Sequence, residues 1–374
     1  MQVKHFDSMN EVMAHLRSEV PANPYAQFMK SGYQWVNDGG AGRLIPSKGS
    51  SFWSPFLYRG QTRRYTPCVP GVFRGLPKVN HPDQLPRRDH AQSYLAGVRL
   101  EEFMWALTEH PAYEFSSKMG LVVSSEALAQ HYELPTGRLD LTQDPDVAAF
   151  FATNWRDDSG TWYPMEDGEG VVYRVGVPRL MQGLGKHREF YLEWIGKQAW
   201  PRPGEQKGCT LLVPLGADFE EIDGDIFTFR HDAACGCQYN DLFDGGKTLF
   251  PPDVLSEVAD SIRTCATAAK VMLVKTLERN GFSGAALEEQ VRASIDYFQE
   301  HLGVEVVDRT PISLTEDQKA RAKTQVAEMK KTFLDNVRVY PVRTAKPGDV
   351  EELRKRGVRV YVIGEDTHGN TEVP

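Results

Sequence analysis

Three stretches of the chain combine residue types that could do chemistry. Arg59 follows the apolar run Phe56, Leu57, Tyr58 and precedes Gly60. A guanidinium at the end of a buried strand is a clamp for phosphate or carboxylate, because its planar fork of donors meets two oxygens at once. A glycine beside it has no Cβ to block a ligand. The same arginine would serve equally well as half of a structural ion pair. The second stretch places Gln130 and His131 on a predicted helix and Asp140 and Thr142 just ahead of another. His131 is a candidate proton carrier, and equally a core histidine with its nitrogens satisfied. Asp140 and Thr142 lie between apolar stretches, so each must find hydrogen-bond partners, in a turn or on a ligand. The third is Arg202-Pro203-Gly204-Glu205-Gln206-Lys207-Gly208, directly before a predicted strand. Polar groups beside glycines there either face a cleft or form a solvated loop.

Metal chemistry has a weaker basis. His231, Asp232, Cys235 and Cys237 fall within seven residues, but this group lacks the second paired-ligand cluster of a structural zinc site, so no metal is expected. The chain has no phosphate-cradling G-x-x-x-x-G-K-[ST] loop, no serine-hydrolase elbow and no H-E-x-x-H helix.

The elements that must position these residues can be read from periodicity. Ser8 is a cap for a helix over 8–19 with Met9, Val12, Met13 and Leu16 on one face. Phe52, Trp53, Phe56, Leu57 and Tyr58 read as a buried strand ending at Arg59-Gly60, and the five prolines between 62 and 87 exclude helix there. Helices are expected from Asp89 to about His110, stopped by Pro111, from Ser124 or Ser125 to the Leu134-Pro135 break, and from Asp144-Pro145 onward. Thr136 to Thr142 is a short extended piece. Strands are expected at Val171–Val175, Thr210–Val213 and Ile226–Phe229. Beyond Pro251-Pro252, helical periodicity covers 253–280, 285–302 and 315–336, and Val337–Val342 and Val358–Ile363 alternate like strands before a polar tail. The expectation is an α+β fold: a mixed or antiparallel central sheet flanked by helices, with residues 1–250 as one unit and 251–374 as a mainly helical C-terminal layer.

Composition bounds the function. With 374 residues, 41% hydrophobic and 25% charged, the chain is sized for one large domain with additions or for two. A net charge of -8 disfavours a protein that grips duplex DNA by overall basicity, although Arg63, Arg64, Arg74, Lys78, Arg87 and Arg88 form a local basic stretch. The amino terminus lacks the apolar core of a secretion signal, and no apolar run is long enough to span a bilayer, so a soluble protein without membrane partners is expected. Five cysteines at irregular spacing suit free thiols in a reducing compartment, which makes cytoplasmic the expected location.

Tyr58-Arg59-Gly60-Gln61 resembles the Phe/Tyr-Arg-Gly signature of the FRG-domain family, and residues 127–153, ALAQHYELPTGRLDLTQDPDVAAFFAT, resemble that family's long central motif. Arg202, Gln206 and Gly208 match the spacing of its later R-x-x-x-Q-x-G element, so the resemblance covers about residues 50–215. The chain departs from the pattern at Gly137, where an arginine is usual, at Leu141, where tryptophan is common, and at Cys209-Thr210. The order of motifs is similar to that of the ADP-ribosyltransferase superfamily and its split sheet. That likeness implies NAD as substrate, held by Tyr58, Arg59, Gly60, Gln61, Asp140 and Thr142, with Gln206, Glu205 and His131 as candidate catalytic groups. It also implies a toxin or phage-defence effector. The alternatives are a non-catalytic module binding a nucleotide or a nucleic-acid end, and a protein-interaction module.

Overall fold

Ser8 begins the fold as the sequence expects, accepting the Glu11 amide and turning the chain into a helix whose Met9, Val12, Met13 and Leu16 are buried. In the computed structural model, the described residues are 1–19, 32–38, 41–47, 55–77, 87–178, 180, 190–335, 337–339, 351, 355 and 359–360. Phe52, Trp53, Lys78, the end of the expected strand at 340–342 and most of the expected last strand lie outside them. The first half of the chain holds β1 (Gln2–Phe6), α1 (Met9–Ser18), β2 (Gly32–Asp38), β3 (Ala41–Ser47) and β4 (Phe56–Gln61). It continues with α2 (Arg87–Glu109), α3 (Pro111–Met119), α4 (Ser125–His131), β5 (Arg138–Thr142) and α5 (Pro145–Thr153). The middle adds the hairpin β6 (Asn154–Arg156) and β7 (Trp162–Pro164), then β8 (Glu169–Gly176), β9 (Tyr191–Trp194), α6 (Pro201–Glu205), β10 (Gly208–Leu212), β11 (Asp225–Arg230) and α7 (Ala233–Leu242). The C-terminal part holds α8 (Val254–Thr264), β12 (Thr267–Ala269), α9 (Lys270–Arg279), α10 (Gly284–Tyr297), β13 (Glu305–Val307), α11 (Glu316–Thr332), β14 (Val337–Val339) and β15 (Arg359–Val360).

The architecture is mixed α+β. Seven strands form the central sheet in the order β1-β11-β8-β4-β5-β10-β9; β1 runs parallel to β11, and every other neighbouring pair is antiparallel. One face buries Tyr58, Val172, Phe227 and Phe229 under α1, α5 and α7. The other buries Leu57, Leu139, Leu141, Tyr173 and Leu211 with Cys68, Phe190 and Phe219. A second, four-stranded sheet, β15-β14-β2-β3, lies beside the β9 edge, where Arg43 of β3 donates to the Trp194 carbonyl at 2.9 Å.

β4 and β5 are neighbours through a single register pair, Tyr58↔Thr142, whereas β4 pairs with β8 over six residues and β5 with β10 over five. The sheet therefore forks after that pair. Gly60 brings α5 onto the fork: a Cβ there would lie 1.8 Å from the Ala148 carbonyl oxygen. Asp144 caps α5 through the Asp146 amide, and Pro145 occupies its first turn.

The helical C-terminal layer is more broken than its periodicity predicts. The segment 253–280 divides into α8, an extended link and α9, because Arg99 of α2 donates to the Cys265 and Thr267 carbonyls and holds that link out of helix. α10 continues as a π turn over Phe298–Leu302 that ends at Gly303 with φ 63°. Pro111 ends α2 as expected and is also the first residue of α3, which the sequence reading omits. Val254, Leu255, Val258 and Ile262 of α8 pack into the cluster formed by α2, α3 and α4. All five cysteines are free, and among the described residues no helix is long and apolar enough to cross a membrane.

His110 joins α2 to α3. It is buried at 4% exposure, and its Nδ1 accepts the Ala112 amide at 3.1 Å as the helix cap. Burial pushes its pKa down from 6.5 to about 4. The folded state therefore prefers the neutral ring, and this contribution is complete above about pH 6.5 and is lost as pH falls toward about 4. Urea denaturation across that range should show wild type losing on the order of 3 kcal/mol relative to His110→Asn, which can still cap but does not titrate. Parallel stability profiles would refute this assignment.

Candidate functional site

Where the strands part, Arg59 crosses the fork and its Nη1 donates to the Asp140 carbonyl oxygen at 2.9 Å. The fork opens into a cavity of about 770 Å³, within the range of small-molecule sites, roughly 300–1,000 Å³. Arg59, Arg74 and Gly60 line it from the β4 side, and Gln130, His131, Asp140 and Thr142 from α4 and β5. Phe151 of α5, Trp162 of β7 and Phe250 form an aromatic wall, with ring centroids 5.3–6.0 Å apart. Asp260, Arg263 and Thr264 of α8 also face it, so residues on both sides of position 250 build one cavity.

The polar side chains of this region form two hydrogen-bonded groups, one around Asp140 and one around Gln206. Gln130 Nε2 donates to Asp140 Oδ2 at 3.0 Å, and Gln130 Oε1 accepts the Thr136 hydroxyl at 2.7 Å. His131 Nδ1 meets Gln206 Oε1 at 2.8 Å, and Gln206 Nε2 donates to the Leu249 carbonyl at 3.0 Å. The Thr142 hydroxyl donates to the Gln206 carbonyl at 2.7 Å and accepts the Asp144 amide at 3.0 Å. Arg202 donates to the His131 carbonyl and to Ser256 Oγ, with its guanidinium over the Tyr132 and Phe250 rings. Tyr132 donates to Asp253 Oδ2 at 2.5 Å, where burial holds the carboxyl above the usual carboxylate range. Three cavity atoms stay buried without a partner among the described residues: Arg59 Nε, His131 Nε2 and Asp140 Oδ1.

Charge in the cavity is divided. Arg156 pairs with Glu133, and Arg263 pairs with Asp260 at 2.8 Å. Arg59 and Arg74 have no carboxylate partner among the described residues, so they leave the β4 side cationic beside the Asp140 carboxylate. Two non-glycine residues near the cavity have left-handed backbone, Glu133 at φ 66° and Lys207 at φ 47°. Each is held by an ion pair, to Arg156 and to Asp144, which offsets a backbone cost of roughly 1–2 kcal/mol.

Among the residues singled out from the sequence, Tyr58, Arg59, Gly60, His131, Asp140, Thr142 and Gln206 come together around this cavity. Their placement refines several expectations. The Tyr58 ring belongs to the apolar layer under α5, where burial pushes its phenol up to about 12. Gln61 is buried with Cys68 and is not among the lining residues. Glu205 is exposed at the end of α6, also outside the lining, because 201–205 coil into a helix and do not form the entrance of a strand. Gln206 and Thr142 have both polar ends engaged and serve to position their neighbours. Gly60 and Gly208 are packing glycines: a Cβ on Gly208 would lie 2.6 Å from the His131 ring. Arg138, one place beyond the family's arginine position, is paired with Glu126 and Glu193.

The basic stretch is not a continuous surface among its described members. Arg64 pairs with Glu220 at 2.6 Å, Arg63 lies over Tyr65, and Arg74 alone reaches the cavity. The His231-to-Cys237 group has structural uses: His231 Nε2 meets the Thr62 carbonyl, and Asp232 caps α7 through the Cys235 amide. Sequence reasoning misses Arg156, Trp162 and Phe250 as cavity residues. Only the aromatic flank of Pro251-Pro252 signals Phe250, and it reads there as a seam between units.

Gly60→Ala should destabilise the fold by about 3 kcal/mol or more, since backbone on α5 has to move to admit the methyl. Chemical denaturation measures this. A near-neutral effect would show that α5 is not seated on the fork.

With this geometry in place, residues 54–160 match the family model of the FRG domain. The match includes Arg59, His131 and Asp140 and stops before Gln206. A search of curated proteins and a search of solved structures each found no match.

Proposed function

We propose that the fork cavity binds a nucleotide and acts on NAD as an ADP-ribosyltransferase-like enzyme or NAD glycohydrolase, releasing nicotinamide. The observation that carries this reading is the juxtaposition, at one break in the sheet, of an arginine with no described carboxylate partner and a carboxylate beside a histidine. The fork between β4 and β5 supports the likeness to a split sheet. Arg59, with Arg74 beside it, supplies donors and charge for a pyrophosphate. Phe151, Trp162 and Phe250 supply a face for a flat ring.

The acid assignment moves. Cleavage of the N-glycosidic bond develops positive charge on the ribose, and a carboxylate held at that place lowers the barrier because the charge exists only in the transition state. Asp140 lines the cavity and Glu205 does not, so Asp140 takes that role. Nicotinamide leaves with the bonding electron pair, and the ribose carbon bonds to the oxygen of water or of a target hydroxyl, whose proton passes to the solvent. A second reading, binding without turnover, rests on Gln206, whose neutral amide is fully engaged where the motif order looks for an acid.

Nicotinamide release by the purified chain decides between the two. Asp140→Asn should lower turnover by about 10²–10³-fold, Arg59→Ala should weaken binding at least about tenfold, and Glu205→Gln should match wild type. Tight NAD binding with no release would establish the binding module; neither binding nor release would end the nucleotide reading.

A further inference from the structure

The hairpin β6–β7 turns two aromatic rings to solvent. Strand alternation divides its residues between two faces. Asn154 and Trp162 point inward, the first 1% exposed and the second packed on Phe150, Phe151 and Phe250. Trp155 and Tyr163, opposite each other in the register, point outward. They are 46% and 42% exposed, and their rings stack with centroids 5.3 Å apart. Trp162 already anchors the hairpin to the protein, and a β-branched outer pair would hold the two strands together without exposing rings. The outer pair therefore points to a use beyond the hairpin itself.

Carboxylates flank the rings at both ends of the hairpin. Asp158 follows Trp155 by three residues and Glu166 follows Tyr163 by three, each no more than about 11 Å away along the chain. Asp158, Glu166 and Asp167 are exposed and have no ion-pair partner among the described residues. Asp157 accepts the Thr161 amide at 2.9 Å and the Ser159 hydroxyl at 2.7 Å, which fixes the turn that presents Asp158. Basic groups on adjoining elements are taken up locally: Arg156 pairs with Glu133, Lys247 pairs with Asp244, and Arg230 stands opposite Glu169 in the β8–β11 register. The outer face is thus a stacked ring pair between uncompensated negative charges. Such a surface repels phosphate, which disfavours nucleic acid and anionic lipid, and it attracts a cation that is also flat.

We propose that the outer face of the β6–β7 hairpin is a docking surface for an arginine-rich segment of a protein partner. One guanidinium lies against the Trp155 and Tyr163 rings, and flanking cations meet Asp158 at one end and Glu166 with Asp167 at the other. Arginine fits better than lysine because its planar, weakly hydrated head stacks on a ring face as well as carrying charge. Tryptophan, tyrosine and arginine are also the residues that dominate binding energy where proteins meet. The turn Asp157–Gly160 lines the fork cavity while the rings face outward, so a docked segment lies at the cavity rim. The surface uses neither Arg59 nor the hydrogen-bonded groups around Asp140 and Gln206, so it stands or falls independently of the nucleotide reading.

The test titrates the full chain with a synthetic arginine–glycine repeat peptide, following the indole N–H of Trp155 by NMR, with the lysine–glycine peptide and a thymidine oligonucleotide alongside. The arginine peptide should move the Trp155 signal and bind more tightly than the lysine peptide. The double variant Trp155→Thr with Tyr163→Thr, which keeps strand-forming residues in the hairpin, should bind it about tenfold more weakly. Asp158→Asn with Asp167→Asn, which leaves the rings in place, should weaken it about threefold, whereas Glu288→Gln with Glu289→Gln on the exposed side of α10 should leave it unchanged. Equal weakening by the hairpin and α10 charge variants would show attraction to overall acidity and overturn the proposal. So would a Trp155 signal that the peptide does not move, or one that the oligonucleotide moves instead. Sedimentation of the chain alone covers the remaining occupant: self-association that the double variant abolishes would assign the surface to a second copy of this chain and overturn the arginine-rich partner.

Discussion

Among the described residues β5 meets β4 only at Tyr58↔Thr142, and an unpaired carbonyl beyond that point would be costly inside a sheet. Arg59 resolves the problem by donating a side-chain N–H where a strand would have donated a backbone one. The guanidinium is broader than a peptide group, so it keeps the strands apart as it satisfies the carbonyl. The remaining features follow from this spacing. β5 shows Asp140 to an open space, α4 lies over it with Gln130 and His131, and α5 closes the other side, seated on Gly60.

Around the fork, the cavity is held by side chains whose polar atoms bond to other parts of the chain. Thr142 ties β5 to the Gln206 carbonyl and to the start of α5. Arg202 connects the end of α4 to Ser256 near the start of α8, and its guanidinium lies against Phe250. Asp253 caps α8 and receives the Tyr132 hydroxyl. The C-terminal helices are thereby joined to the site through buried hydrogen bonds, and α8 contributes directly to the cavity surface.

Much of this is legible in the chain. Ser8, Asp144-Pro145 and the apolar periodicity of α2 carry strong local signals, β4, β8, β10 and β11 overlap the apolar and β-branched runs that predict strands, and β5 lies within the expected extended piece 136–142. Arg59, His131 and Asp140 are recognisable from residue type and motif order. What is not legible depends on tertiary contact. The break between α8 and α9 is imposed by Arg99, which lies more than 160 residues earlier. The 201–205 segment, with two prolines and a glycine, carries no strong helical pattern, so the helix that turns Glu205 to solvent is not signalled in the sequence. Gly60 reads as room for a ligand because sequence gives the need for a small residue but not the neighbour that imposes it; the neighbour is Ala148. Trp162 and Phe250 look like ordinary core aromatics, and only packing places them on a cavity wall.

The partners in this network are far apart along the chain. Gln2 pairs with Asp225, His131 with Gln206, Gln206 with Leu249 and Arg202 with Ser256. Contacts of such high sequence separation close large loops and form slowly, after local helices and hairpins. During synthesis, a chain that has not yet passed Phe250 has no fixed amide against His131 and no aromatic floor. The cavity is therefore incomplete in the nascent protein until the segment carrying Phe250 and α8 has emerged and docked.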